Sequence, residues 1–222
     1  MRQAQIYLSS SSPRRRELLD QIGVRYHIIH PEIDEAKKPN ESGSEYVKRL
    51  AIEKAVAGAM LVKHEPKKPI LGADTCVVID GSFLGKPDDF DEYSAMMQKL
   101  SGNKHEVLTA VAVIDADEWE NVKQASDDVA HSLHEDFKFK NVRLSITKVS
   151  FRDLLPTDYR DYWETGEPKG KAGGYAIQGK GAMFIKLIEG SYSGVVGLPL
   201  FETSELLRNH AVDLFSTYGG KS

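Results

Sequence analysis

Three consecutive arginines stand near the start of the chain, in the stretch LSSSSPRRREL between Leu8 and Leu18. A proline at position 13 is typical of a first helical residue, so the pattern predicts a helix whose N-terminus carries the arginines. Helix N-termini favour anions, and guanidinium groups match phosphate oxygens. At about 100° per residue, Arg15 points along the apolar stripe of this helix and Arg14 lies at its edge, while Ser10 adds a hydroxyl. The stretch therefore predicts a phosphate site, and the competing interpretation is a solvated, salt-bridged basic turn.

A lysine lies within the apolar face of the next predicted helix, which runs from Ser44 to about Lys63. Because an isolated buried ammonium is costly, Lys54 needs a substrate phosphate or a facing carboxylate. The alternative is that its aliphatic stem covers apolar surface while the charged head reaches water. The apolar face consists of Val47, Leu50, Ala51, Ala55, Gly58 and Val62.

A single carboxylate interrupts the buried strand that the sequence ILGADTCVVI predicts. Asp74 has the chemistry of a general base or of a ligand for a hard divalent cation that also contacts phosphate. A purely structural role, in which it accepts backbone hydrogen bonds at a strand kink, is the alternative. The acidic segment PEIDE, which contains Glu32, Asp34 and Glu35, comes before the Lys54 helix and offers a second metal ligand, although acidic loops are usually just solvated.

Two further segments carry groups suited to a nucleotide. Lys86 in the sequence LGKP follows a predicted hairpin, and a lysine close to such a turn can meet a phosphate. The glycine-rich loop from Lys169 to Gly181 lets the backbone approach a planar ligand, and Gln178 offers a donor and an acceptor to a base edge. A plain tight turn is the alternative for this loop.

Strands and helices mix along the chain without a regular βαβ alternation, which predicts an α/β or α+β fold with a mixed sheet. The predicted strands are Ile6–Leu8, Tyr26–Ile29, Ile70–Ile79, Phe83–Leu84, Val107–Ile114, Val142–Phe151 and Met183–Ile188. The remaining predicted helices are Asp91–Leu100, Pro156–Glu164 and Leu200–Arg208. A polar, acidic stretch at about 117–138 predicts an exposed insertion in one domain that spans residues 1–222.

Composition limits the classes of partner and compartment. The 222 residues are 41% apolar, with a formal net charge of −4, which argues against a surface built for a nucleic-acid backbone. The sole cysteine, Cys76, excludes an intrachain disulfide and fits a reducing compartment. We find no uncharged apolar run of membrane-spanning length and no signal-peptide pattern, so we expect a cytoplasmic protein.

Several of these segments, taken in order, resemble the Maf family of nucleoside triphosphate pyrophosphatases, whose members are also labelled septum formation inhibitors. They are SSSSPRRREL, RLAIEKA, LGADT, LGKP, LSGNKHEVLTAVAV, GEPKGKAGGYAIQGKG and GSYSGVVGLPL, and the resemblance covers Ile6 to about Leu207. It implies a mixed twisted sheet flanked by helices, two lobes around a deep nucleotide-binding cleft, and a homodimer. It also implies hydrolysis of nucleoside triphosphates to monophosphate and pyrophosphate with Mg²⁺ or Mn²⁺.

The resemblance also implies roles for individual residues. Ser10, Arg14 and Arg15 are expected to bind the substrate phosphates. Asp74, Lys54 and Lys86 are expected to take part in the chemical step, and Asp74 and Asp34 are expected to hold the metal. The sequence around Gln178 is similar to the branch of the family that acts on dTTP and UTP. Asp34 stands where some relatives have glutamate, which shortens its reach by one methylene.

Other functions stay open at this point. One is the 7-methyl-GTP pyrophosphatase activity of the same family, and another is a non-catalytic regulator of septum formation that senses nucleotides. Modified pyrimidine nucleotides also fit the pattern. A nucleic-acid-binding role for the arginines is disfavoured by the acidic net charge.

Overall fold

A computed structural model of the chain describes residues 4–62, 64–114 and 141–215. The sheet consists of seven strands: β1 (Ile6–Ser9), β2 (Tyr26–Ile29), β3 (Ile70–Ile79), β4 (Ser82–Leu84), β5 (Lys104–Ile114), β6 (Val142–Phe151) and β7 (Ile185–Glu189). The helices are α1 (Pro13–Gln21), α2 (Gly43–Leu61), α3 (Phe90–Leu100), α4 (Pro156–Glu164), α5 (Tyr192–Val196) and α6 (Leu200–Asn209). Short 3₁₀ helices span Ala172–Gly174 and Lys180–Phe184.

The sheet is mixed, as predicted. Its strand order is β2-β1-β3-β5-β6-β7, and β4 pairs with β3 outside this path. Strand β1 runs parallel to both β2 and β3, whereas the β3–β4 and β6–β7 pairs are antiparallel. The prediction of a mixed α/β fold is therefore confirmed.

The chain forms two compact units. The first takes its described residues from Met1–Asp74, Ala110–Leu144 and Gly197–Ser222. The second comprises Thr75–Thr109 and Ser145–Val196. Strands β3, β5 and β6 each contribute residues to both units.

In the first unit, the parallel strands β1 and β3 pack against α2. The side chains of Ile6, Leu8, Leu50 and Leu71 are fully buried. Helix α2 begins with a capping box, in which Ser42 Oγ accepts from the Glu45 N–H at 3.3 Å and the Glu45 carboxylate accepts from the Ser42 N–H at 2.8 Å. This box fixes where the helix starts, one residue earlier than the predicted Ser44.

In the second unit, an aromatic cluster forms the core. Tyr93 of α3 packs against Trp163 of α4 with ring centroids 5.0 Å apart, and Tyr162 meets Phe184 edge-on at 5.1 Å. Strand β7 begins at Ile185 rather than at the predicted Met183, because the preceding residues form a 3₁₀ helix that buries Phe184.

The insertion at about 117–138 lies outside the described residues. Among the described residues, no helix is both long enough and apolar enough to cross a bilayer. Helix α5 (Tyr192–Val196) was not predicted, because its five residues carry no apolar period.

Candidate functional site

A buried arginine anchors the segment that follows β1. The Arg15 side chain points inward, and only 9% of the residue is exposed. Its Nε donates to the Gly197 carbonyl oxygen at 2.9 Å, and its Nη1 donates to Ser10 Oγ at 3.0 Å. Burial lowers the pKa of the Arg15 guanidinium, while the nearby carboxylates of Asp74 and Glu35 oppose that shift. The inward orientation that the helical stripe predicted is thus confirmed.

The two neighbouring arginines differ from Arg15 in burial. Arg14 and Arg16 are half-buried. Ser12 has extended backbone at the N-cap of α1, but its hydroxyl makes no capping bond, and its N–H instead donates to Ser10 Oγ at 3.2 Å. Ser10 therefore supports both the turn and Arg15. The N-terminal turn of α1 and two arginines provide a concentration of positive charge and N–H donors.

Lys54 bridges two carboxylates. Its Nζ lies 2.7 Å from Asp74 Oδ1 and 2.7 Å from Glu35 Oε1. The Lys54 and Asp74 side chains are 12% and 10% exposed, whereas the Glu35 side chain is 43% exposed. Of the partners predicted for Lys54, the structure shows the facing carboxylate. The ammonium makes a charge-assisted contact with each carboxylate, and such contacts are stronger than hydrogen bonds between neutral groups.

Small residues bring β3 close enough to α2 for this contact. A Cβ at Gly72 would lie 2.7 Å from Ala55 N and closer still to the Ala51 carbonyl oxygen. Ser9, which pairs with Gly72 in the parallel register, donates its hydroxyl to the Lys54 carbonyl oxygen at 2.6 Å. Ser10 and Asp74 come directly and two residues after this Ser9–Gly72 pair, along two strands that run in the same direction.

The acidic loop places Glu35, rather than Asp34, against Lys54. Asp34 is exposed, and its Oδ1 accepts from the Ala36 N–H at 2.8 Å in a local turn. The main chain around Glu35 is held by α2, because Tyr46 Oη donates to the Glu35 carbonyl oxygen at 3.0 Å. Asp34 was the member of this acidic group that the family resemblance singled out, whereas the carboxylate that contacts Lys54 belongs to Glu35.

Arg49 is a structural residue of α2 that was not predicted from the sequence. It is 8% exposed, and its Nε lies 2.6 Å from Glu41 Oε1. Its Nη1 and Nη2 donate to Glu53 Oε2 and to the Ala36 carbonyl oxygen, both at 3.0 Å. The hydrogen bond from Arg49 is the main cause that lowers the pKa of Glu41. The signal in the sequence was an arginine on the same helix as Lys54, shortly after an acidic loop. A buried guanidinium is costly unless carboxylates pair with it, and this loop can supply them.

The carboxylates at Lys54 have the chemistry of a divalent cation site. Among the described residues there is no group of three or more His, Cys, Asp or Glu side chains that could hold a metal ion. Mg²⁺, however, is commonly held by one or two carboxylates together with substrate phosphates. Asp74 and Glu35 contact the same ammonium, so one cation can reach both, and the donor set fits a metal that binds with its substrate.

Lys86 and Gln178 belong to the second unit. Lys86 follows β4 and is exposed. The Gly173 N–H donates to the Gly85 carbonyl oxygen at 2.9 Å, which ties the LGKP segment to the glycine-rich loop. Gly173 has φ 68° and would meet the Val77 side chain if it carried a Cβ, so the loop requires glycine there. Gln178 is exposed on the turn that follows.

Comparison with known proteins identifies the family. The family model described as Maf-like protein matches residues 5–210. The chain belongs to the Maf family. It is 46% identical over 211 residues to a dTTP/UTP pyrophosphatase of Alkalilimnicola ehrlichii, with 94% of each chain covered.

Two further matches differ in their level of similarity. A dTTP/UTP pyrophosphatase of Saccharophagus degradans is 46% identical over 205 residues, which is 92% of this chain and 88% of the relative. A crystal structure of a nucleoside-triphosphatase, a dITP/XTP pyrophosphatase from Mycobacterium abscessus, shares 17% identity and a TM-score of 0.36. It covers 66% of this chain and 73% of its own. The Maf assignment rests on the sequence matches.

Proposed function

We propose that this Maf-family protein hydrolyses nucleoside triphosphates to nucleoside monophosphate and pyrophosphate, with dTTP and UTP as substrates. The observation that carries the proposal is the group of Lys54, Asp74 and Glu35 beside Arg15, in which Lys54 and Asp74 are mostly buried. Carboxylates and cations held together in this way suit metal-assisted phosphoryl chemistry. The names of the relatives in Alkalilimnicola and Saccharophagus support the choice of substrate.

The positive groups are assigned to the phosphate chain. Arg14, Arg15, Ser10 and the N-terminus of α1 provide N–H and O–H donors for phosphate oxygens. Lys54 and Lys86 are assigned to the negative charge that develops on the leaving pyrophosphate. Arg15 is already held by Ser10 and the Gly197 carbonyl oxygen, so it requires little reorganisation when substrate binds.

The proposed reaction is a single displacement by water at the α-phosphorus. A bond forms between the water oxygen and the α-phosphorus, the bond from that phosphorus to the bridging oxygen breaks, and pyrophosphate leaves with that oxygen. The water loses a proton in the process. Asp74 either accepts that proton as general base or serves as a metal ligand, and its Oδ1 lies 2.7 Å from Lys54 Nζ, which holds the side chain in place.

A divalent cation, Mg²⁺ or Mn²⁺, is the proposed cofactor. Asp74 and Glu35 would hold it, with Asp34 as a candidate third carboxylate from the same acidic loop. When bound, the cation would neutralise phosphate charge and polarise the phosphorus centre.

The test is an activity assay with purified protein, Mg²⁺ or Mn²⁺, and a panel of canonical and modified nucleoside triphosphates. We expect pyrophosphate and monophosphate from dTTP and UTP, and a loss of about 10²-fold to 10⁴-fold in kcat for Asp74→Asn, as for removal of a general base. The exposed Asp161→Asn is the matched control and should retain full turnover. Near-normal turnover of Asp74→Asn would reject its catalytic role.

The same panel decides among the competing functions. Preferential turnover of 7-methyl-GTP would favour the other branch of the family. No turnover in folded protein that still binds nucleotides would favour the regulator of septum formation. The homodimer and the cytoplasmic location stay predictions, which light scattering and cell fractionation would test.

A further inference from the structure

A hydrogen-bonded pair of side chains, the buried Tyr162 and the half-buried Glu167, holds both ends of the turn that carries Gln178. Tyr162 lies in α4 and is 2% exposed, and its ring packs on Phe184 and Tyr93 in the core of the second unit. Its hydroxyl donates to Glu167 Oε1 at 2.5 Å. The pair therefore connects the aromatic core directly to a carboxylate.

The carboxylate of Glu167 binds the backbone after Gln178. Its Oε2 accepts from the Lys180 N–H at 3.0 Å, and its Oε1 accepts from the Gly181 N–H at 3.2 Å. Burial opposes ionisation, but the hydrogen bonds from Tyr162 and these two amides outweigh it, so the pKa of Glu167 lies below its ordinary value. Glu167 thus acts as an ionised acceptor for two consecutive amides.

The hydroxyl of Tyr162 binds the backbone before Gln178. It accepts from the Ala176 N–H at 3.0 Å, in a buried contact. Position 178 is therefore flanked on both sides by amides that hydrogen-bond to one connected pair of side chains.

Two glycines allow the carboxylate and the hydroxyl to approach this closely. A Cβ at Gly179 would collide with the Glu167 carboxylate. A Cβ at Gly181 would lie 2.7 Å from both the Tyr162 hydroxyl oxygen and the Ala176 carbonyl oxygen. The two glycines of the sequence Gly179-Lys180-Gly181 are thus explained by the close fit around Glu167 and Tyr162.

We infer that Tyr162 and Glu167 are positioning residues for base selection: they fix the turn so that the exposed Gln178 amide presents one orientation to the nucleobase. The inference rests on the proposed function, in which Gln178 recognises dTTP and UTP. A loosely held turn would let the Gln178 amide adopt several orientations, and the enzyme would lose discrimination among bases.

The test is a double-mutant cycle read by base selectivity. Selectivity is the ratio of kcat/KM for dTTP to that for dGTP. Glu167→Gln keeps the shape of the side chain but turns one acceptor into a donor. We expect this change to lower the ratio by about tenfold, mostly through KM for dTTP, because an amide loses its charged acceptor.

In protein that already carries Gln178→Ala, the same Glu167→Gln change should alter the ratio by less than about twofold, since coupled residues are not additive. Tyr162→Phe, which keeps the ring in the core, should reproduce the effect of Glu167→Gln. The exposed Glu164→Gln on the same helix is the matched control and should leave the ratio unchanged. The melting temperature of each variant is measured in parallel.

The outcomes separate this inference from the proposed function. If Gln178→Ala lowers the ratio but neither Glu167→Gln nor Tyr162→Phe does, the positioning role is rejected and the function stands. Equal effects of Glu167→Gln in both backgrounds would also reject it, since a general structural loss does not depend on Gln178. If Gln178→Ala leaves the ratio unchanged while dTTP is hydrolysed, Gln178 does not recognise the base. The inference is then rejected, and the proposed hydrolysis stands.

Discussion

At the scale of single residues, Arg15 combines a charged group with almost complete burial, and its fork geometry explains how. The guanidinium satisfies a backbone carbonyl with Nε and a serine hydroxyl with Nη1, in two different directions. A lysine has one ammonium on a flexible stem and cannot span both acceptors. Arg15, for which we propose phosphate binding, therefore also supports the structure around it.

This geometry predicts that Arg15→Lys is not a conservative change. We expect KM for dTTP to rise about tenfold and the free energy of unfolding to fall by about 1–2 kcal/mol, because a buried hydrogen bond is lost while the charge remains. Steady-state kinetics and urea denaturation measure the two effects. Arg16→Lys, at a half-buried position one residue further along, is the control and should change neither quantity by much. Identical behaviour of the two variants would contradict the role of the fork.

The burial of candidate residues on regular elements could be predicted from the sequence, whereas the contacts of candidate residues on loops could not. Helical periodicity placed Arg15 and Lys54 on buried faces, and the interruption of an apolar strand singled out Asp74. The choice of Glu35 over Asp34 depends on Tyr46, whose hydroxyl holds the loop from eleven positions away. No local pattern encodes such a contact, so only the folded chain shows which carboxylate reaches Lys54.

At the scale of elements, the spacing between β3 and α2 sets the geometry of the site. Gly72 faces the backbone of α2 at Ala51 and Ala55, and Lys54 lies directly before Ala55. Any side chain at position 72 pushes the strand away from the helix. Asp74 is two residues further along the same strand, so a displacement at position 72 is carried to it.

Gly72→Ala should therefore destabilise the protein by about 1–3 kcal/mol, the usual cost of overpacking. The colliding atoms are backbone, which cannot rotate away. Gly85→Ala is a matched control, because a Cβ at Gly85 meets nothing within 4 Å. Thermal denaturation of both variants checks the prediction, and equal melting temperatures would show that the β3–α2 approach is not tight.

The elements themselves were predicted well where hydrophobic periodicity is strong. The predicted bounds of β2, β3, β6 and α4 agree with the structure. Strand β5 begins at Lys104, three residues before the predicted start, because the alternation in NKHEV is disturbed by the buried His105. A polar residue that is buried through tertiary contacts breaks the pattern from which strands are predicted.

At the scale of the whole molecule, His105 links stability to pH through the core of the second unit. The residue is 1% exposed, lies edge-on to Phe151 with ring centroids 5.0 Å apart, and its Nε2 lies 2.8 Å from the Tyr175 hydroxyl oxygen. Burial lowers the pKa of His105 from 6.5 to about 4. The imidazole is therefore neutral in the folded protein throughout the range in which an unfolded histidine takes up a proton.

The sign of the pH effect follows from proton uptake. Between the folded pKa of about 4 and the unfolded value of 6.5, the unfolded chain binds a proton at His105 that the folded chain does not. Stability is fully present above the unfolded pKa and is lost as the pH falls toward the folded pKa. We expect a loss of about 2 kcal/mol between about pH 7 and about pH 5.

His105→Gln should remove that slope, because glutamine does not titrate in this range, although the variant is less stable at neutral pH. Urea denaturation across the same pH range measures the difference, with the exposed His64→Gln as control. Glu41 and Glu167 also contribute stability that is lost in acid. Because the pKa of each is lowered from the ordinary glutamate pKa of 4.5, that loss occurs below about pH 4.5. If the free energy of unfolding of His105→Gln still falls between about pH 7 and about pH 5, the effect belongs to other groups. If that dependence disappears, the buried imidazole of His105 is its source.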